Sequence, residues 1–238
     1  MSLPPKTALI LGNGPSIDLL DPSVLPYFET YGTNHIYKKF EAWGRPVDNV
    51  VITDSNRLAE IRTAYKSFPG NLYVGDQRYI EPPVEHWKRV LGREFIPLRQ
   101  LPKQTLPVNW LTRRIRWTHY LYSTVFDKTR FTFDFDKGLN FGASVVISAI
   151  QIAVIRGSRR ILLTGVDSHY ATPKSYFAGM TAEIQYVNPT FTANPRLFME
   201  PLLVLAQIYF ENMGVELIDC TPGGALKFIP KGDLGSVR

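Results

Sequence analysis

The stretch Thr7–Leu20, "TALILGNGPSIDLL", decides how the chain is read. Thr7–Leu11 are apolar without alternation, the pattern of a strand buried on both faces. The run stops at Gly12-Asn13-Gly14-Pro15-Ser16, and a mixed apolar segment follows. Glycines at a strand exit let backbone amides approach an anion with no Cβ in the way. A helix start behind them would add its free N–H groups. Ser16 suits either a helix cap or a hydroxyl donor to phosphate. The alternative is a tight strand-to-helix turn. The spacing is neither Gly-x-Gly-x-x-Gly, since Ile17 takes the third position, nor a Walker loop, since no Gly-Lys-Ser/Thr follows.

The same pattern recurs along the chain. Gly32–Tyr37 is expected as a weak strand after a short helix from about Ser23. Asn49–Thr53 is a firmer one, with Asp54-Ser55-Asn56 capping a helix to about Ser67. Asn71–Val74 and Arg160–Thr164 continue the series, and Val215–Ile218 closes it. Gly142–Arg156 is apolar nearly all round and is expected as a buried helix, and Pro195–Met213 as a long one. Short unalternating strands separated by helices predict an α/β, Rossmann-like parallel sheet with helices on both faces. Such sheets bind ligands beyond the carboxyl ends of their strands. The residues of interest are therefore Gly12–Ser16, Asn34, Asp54, Gly165–Tyr170 and Thr221–Gly224.

Between Pro82 and Lys137 the pattern changes. Five prolines and three of the four tryptophans lie there. From Glu85 to Arg130, ten Lys or Arg face three acids, so this segment alone carries +7 against +6 for the whole chain. It is expected as an inserted, mostly helical lid within a single domain spanning residues 1–238. Its basic field suits an anionic partner. Arg113, Arg114 and Trp117 are candidates for a glycan acceptor, because arginine forks match phosphate or carboxylate and aromatic faces cover sugar rings. Peripheral contact with the inner face of a membrane is another use of the same residues. Nothing resembles a nucleic-acid recognition module.

The 238 residues include one cysteine, Cys220, so no internal disulfide forms. No apolar run nears the ~20 residues of a membrane span, and no basic-then-apolar signal opens the sequence. A cytoplasmic location is the expectation. No two of the four histidines have metal-ligand spacing on a helix. His169 stands at a strand exit beside Asp167 and Tyr170 and is the candidate acid/base. His35, next to Asn34, is a second. Asp54 and Asp167 both leave strands and would share Mg²⁺ if they faced one cleft. Asp167 would otherwise hold its loop by accepting backbone N–H bonds.

"LGNGPSI", "TNHIY", "GASVVISAIQIAVIRGSRRILLTGVD" and "TPGGAL" resemble a broad superfamily that includes two families of interest. One is the bacterial sialyltransferases that build lipooligosaccharide. The other is the 6-hydroxymethylpterin pyrophosphokinase family, related to flagellin-glycosylation accessory proteins. The resemblance covers about two thirds of the chain, chiefly its sheet-forming parts. It implies that Gly12, Asn13, Gly14, Ser16 and Asn34 hold the nucleotide of a CMP-sugar, with Asp54, Asn140 and Gly142 contributing contacts. It implies that Tyr170 (or His169) and Tyr176 meet the departing phosphate, with inversion at the anomeric carbon and no metal. Gly138 stands where those enzymes have an arginine, and Thr192–Pro195 lacks their histidine. The expected function is a glycosyltransferase-like enzyme using a nucleotide-sugar, CMP-linked first, on a cell-surface glycan. The alternatives are an ATP- and Mg²⁺-dependent pyrophosphokinase and a non-catalytic nucleotide- or glycan-binding module.

Overall fold

The computed structural model describes residues 6–54, 58, 61–75, 83–101, 131–141, 144–168, 177–178 and 199–237. Among the described residues seven strands form one sheet: β1 (Thr7–Leu11), β2 (Glu29–Thr33), β3 (Asn49–Ile52), β4 (Asn71–Val74), β5 (Ile96–Pro97), β6 (Arg160–Thr164) and β7 (Glu216–Asp219). Their spatial order is β5-β4-β3-β2-β1-β6-β7, and every pairing is parallel. The expected α/β architecture is the one observed.

Because side chains alternate across a strand, an unalternating apolar strand feeds two cores at once. Ala8, Ile10, Tyr31, Val51, Ile161 and Leu163 face one side. There they meet α3 (Val145–Ile155) and α4 (Glu200–Asn212). Leu9, Leu11, Val50, Ile52, Leu72 and Leu162 face the other, against Tyr65 and the Trp87/Leu91 face of α2 (Val84–Leu91). Ser144 caps α3 by accepting the Val146 amide, and Gly157 follows the helix at φ +91°. A short helix, α1 (Phe40–Trp43), precedes β3.

Three local expectations are corrected. The segment behind the glycine loop is two 3₁₀ turns, Pro15–Leu19 and Pro22–Tyr27, rather than an α-helix. Pro15, Pro22 and Pro26 supply no amide donors for an α ladder. The second strand runs over Glu29–Thr33, not Gly32–Tyr37. Asn34 adopts φ +43°, which ends the extended run, and Asn34–Lys39 coil into a 3₁₀ turn. The basic insert was expected to begin at Pro82. Instead α2 packs in the core and β5 pairs with β4, so residues 84–97 extend the sheet by one helix and one strand. Most of the remaining insert lies outside the described residues.

Candidate functional site at the carboxyl rim

Chain order reverses across β1 and β6, the topological switch point of the sheet. The two strands end in matching glycines. The Gly12 amide donates to the Thr164 carbonyl at 2.8 Å, and the Gly14 amide to the Gly165 carbonyl at 2.8 Å. A Cβ on Gly12 would overlap the Gly165 carbonyl, and one on Gly14 would overlap the Asp167 carboxylate. Gly165 itself takes φ +69°. The glycines are thus required because two backbones touch.

Asp167 closes the rest of the loop. Its carboxylate accepts the Ser16 amide at 3.1 and 3.3 Å and the Ser16 hydroxyl at 2.7 Å. The amides of Gly12, Gly14 and Ser16 therefore point at protein acceptors. For these three amides, this corrects the expectation of an outward cradle for phosphate. The physical reason is the neighbouring strand exit: Thr164, Gly165 and Asp167 supply the acceptors that a phosphate would have supplied. Asp167 takes its alternative role as a loop holder.

What this tight loop presents is the side chain of Asn13. Its Nδ2 donates to the Thr33 carbonyl and to the Thr33 hydroxyl, both at 2.9 Å. The Thr33 hydroxyl spends its own proton on the Leu11 carbonyl at 3.1 Å, so it can only accept from Asn13. That settles which end of the carboxamide is which. Asn13 Oδ1 is turned away from Thr33, buried, and without a hydrogen-bond partner. Asn34, the next residue after Thr33, has the same feature: its Oδ1 is buried and unpartnered. Among the described residues these are the two carboxamide oxygens left so. Buried polar atoms normally find partners, so these two oxygens stand out.

The local backbone is held firmly. Tyr65 donates its hydroxyl to the Asn34 carbonyl. Burial holds that hydroxyl well above its ordinary pKa, so it stays a donor at neutral pH. Among the described residues the non-glycine positions at positive φ are Asn34 (+43°) and Ser168 (+58°). Both sit on this rim, and such strain gathers at functional sites.

The other candidates spread along the edge. Asp54 follows β3, and its carbonyl accepts the Leu58 amide at 2.9 Å. Asn140 lies at the far flank, next to Phe141, whose ring packs on Gly75 beyond β4. Gln151 of α3 clamps the Asn140 backbone, accepting its amide at 3.1 Å and donating to its carbonyl at 2.8 Å. His35 is buried. Gly142, His169, Tyr170, Tyr176, Arg113, Arg114 and Trp117 lie outside the described residues. No group of three His, Cys, Asp or Glu placed to hold a metal ion occurs among the described residues. The Asp167 carboxylate accepts from Ser16. Cys220, just past β7, is a buried thiol, pushed up to about 11 by burial and then by the charges of Asp219 and Asp233. That shift favours the thiol over the thiolate at neutral pH.

Sequence reasoning missed two supports of this site, Thr33 and Phe177, and singled out a third, Gly165, without its role. Thr33 orients Asn13; Gly165 receives the glycine loop; and Phe177 donates its amide to the Asn13 carbonyl at 3.1 Å. Gly165 alone carried a readable signal, since it follows a strand as Gly12 does. A groove of about 690 Å³ at the opposite, amino end of the sheet is lined by Lys6, Glu29, Asn49, Asn71 and Arg156, among others. Its charged groups are already paired: Glu29 with Lys6 at 2.7 Å and with Arg156 at 3.2 Å. It is therefore a structural cluster and not the better site.

No family model matches the sequence, and no curated protein matches it. The structure is similar to that of a MAf glycosyltransferase from Magnetospirillum magneticum AMB-1, with a TM-score of 0.55 at 13% identity. The likeness covers 98% of this chain and 34% of that one, so this chain spans about a third of that protein's length. At that identity the shared property is the fold. No described helix is long and apolar enough to cross a membrane.

Proposed function

We propose that the carboxyl rim over β1 and β2 binds the nucleoside part of a nucleotide-sugar, and that the chain is the donor-binding unit of a glycosyltransferase. One observation carries this: two buried acceptors, Asn13 Oδ1 and Asn34 Oδ1, stand unpartnered on adjoining strand exits. A phosphate ionised at neutral pH offers no donor to such atoms. Ribose hydroxyls and an exocyclic base amine do. The chemistry therefore favours nucleoside recognition at Asn13 and Asn34. The phosphate end would be met by other groups, for which Tyr170, Tyr176 and His169 are the candidates on sequence resemblance. Asp54, Asn140 and Gly142 are candidates for further nucleotide contacts. Arg113, Arg114 and Trp117 remain candidates for the glycan acceptor. The likeness to a MAf glycosyltransferase supports sugar transfer over other uses of the fold. The preference for a CMP-linked donor rests on the sequence resemblance.

Thermal unfolding with CMP, UMP, 2′,3′-dideoxy-CMP and ATP, each with and without Mg²⁺, tests the proposal. At about 100 times its dissociation constant, a bound nucleotide adds about 2.7 kcal/mol of stability. CMP is expected to stabilise without Mg²⁺, and the dideoxy analogue or UMP to do so less. Asn34→Gly keeps the left-handed turn, which glycine adopts freely, and removes the acceptor. It should unfold near the wild-type temperature and lose at least tenfold in CMP affinity. A response to ATP that requires Mg²⁺, with none to CMP, would overturn the proposal in favour of phosphoryl transfer.

A further inference from the structure

Phe177 is fully buried in the core on the Leu9/Leu11 side of the sheet. Its amide donates to the Asn13 carbonyl at 3.1 Å. That carbonyl belongs to the same peptide unit whose N–H, on Gly14, donates to Gly165. A trans peptide points its C=O and N–H in opposite directions. The Asn13–Gly14 peptide is thus pinned at both ends, by Phe177 on one side and the β6 exit on the other. Lys39 Nζ lies 4.8 Å from the Phe177 ring centroid and is ion-paired with Asp18. The Asp18 carboxylate also accepts the Ala178 amide at 3.0 Å. Two successive residues, 160 or more positions from their partners in sequence, are therefore latched onto the first loop by a buried ring, a cation over that ring and two hydrogen bonds.

From these contacts we infer that Phe177, with Asp18 as its latch, is a positioning residue for nucleoside recognition, acting through Asn13. The inference rests on the proposed nucleoside site. Asn13 carries its free oxygen on a side chain whose other end is tied to Thr33. Only if the Asn13 backbone is fixed does that oxygen point the same way in every molecule. Thr33 fixes the carboxamide, Gly165 and Phe177 fix the peptide, and Oδ1 is what remains. Preorganised acceptors bind more tightly because no ordering is left for the ligand to impose. The loops after β1 and β6 and the residues at 177–178 then act as one unit.

The test uses Phe177→Ala and Asp18→Ala. The second variant touches no core side chain and should unfold near the wild-type temperature. The first readout needs no nucleotide: the Asn13 side-chain NH₂ pair in the ¹⁵N spectrum, assigned by its loss in Asn13→Asp. Wild type should show a shifted, slowly exchanging pair. Both variants should move it toward free asparagine. The second readout is the affinity ratio of CMP to the less favoured of UMP and 2′,3′-dideoxy-CMP. It should fall at least fivefold in both variants, which a uniform loss of stability would not cause. An unmoved Asn13 pair in both variants overturns the inference, whatever the ligand data show. An unchanged affinity ratio also overturns it and leaves the nucleoside site standing. Failure of wild type to bind any cytidine nucleotide would sink the nucleoside site instead, with the Asn13 pair still deciding whether Phe177 positions that residue.

Discussion

Gly14 shows how one missing Cβ can decide a site. Its φ of −71° is open to any residue, so the requirement is space and not backbone conformation. A methyl group there would meet the Asp167 carboxylate and the Gly165 carbonyl. Gly14→Ala is expected to cost about 2 kcal/mol, the range of overpacking in a close-packed interior. That is a fall of roughly 4–8 °C in melting temperature for a chain of this size. Calorimetry checks it, and an unchanged melting temperature would show that the two loops part easily. The glycine motif was visible in the sequence, but its use was not. The pattern Gly-Asn-Gly-Pro-Ser suggested amides aimed at an anion. What the amides meet depends on Thr164, Gly165 and Asp167, some 150 residues away, and local sequence carries no sign of that pairing.

At the scale of elements, α3 does more than cover the sheet. Its Gln151 and Ser148 both reach the Asn140 carbonyl, at 2.8 and 3.2 Å, and Gln151 also accepts the Asn140 amide. A helix apolar nearly all round thus carries two buried polar residues to hold one turn. Gln151→Leu should leave the Asn140 amide and carbonyl short of partners, at a cost of about 1–3 kcal/mol for buried unpaired groups. Urea unfolding would register this as a lower midpoint with an unchanged slope. The position of α3 was legible from its unbroken apolar run. The role of Gln151 was not, because one glutamine in such a run looks the same whether it faces a backbone turn or water. The boundaries of β2 failed for a related reason. "GTNHIY" reads as extended, but Asn34 turns left-handed, and a side chain that tolerates that conformation does not announce it.

Across the whole molecule, the two ends of the sheet are built on opposite principles. At the amino end charges are paired. Burial pushes the Glu29 carboxyl up, but its pairing with Lys6 and Arg156 and the neighbouring Tyr31 hydroxyl outweigh it and hold its pKa below the usual 4.5. A depressed carboxylate stabilises the fold above the ordinary carboxylate pKa, and that stability is lost as pH falls through the lower folded value. Lys6 and Arg156 are each more than a third exposed, so solvent screens the gain to about 1 kcal/mol or less. Glu29→Gln is therefore expected to be slightly less stable than wild type at pH 7. The difference should vanish well below pH 4 in paired urea titrations. A difference that persists at pH 3 would mean the cluster acts through packing. At the carboxyl end two carboxamide oxygens, Asn13 Oδ1 and Asn34 Oδ1, are left unpartnered, and Asn34 and Ser168 take positive φ.

The sequence by itself determined the layers: unalternating apolar strands separated by helices can bury both faces only in a parallel sheet, and the ligand edge follows from that geometry. It also placed the glycine loop, Asn13, Asn34 and Asp167 at strand exits. Only the tertiary structure decided what those residues do there. Hydrogen-bond partners are chosen by proximity in space, and the β1 and β6 exits become neighbours only when the sheet forms. Once they meet, the Gly12, Gly14 and Ser16 amides are taken up by protein acceptors, while the Asn13 and Asn34 carboxamide oxygens stay unpartnered. That difference moves the expected contact from the phosphate to the nucleoside.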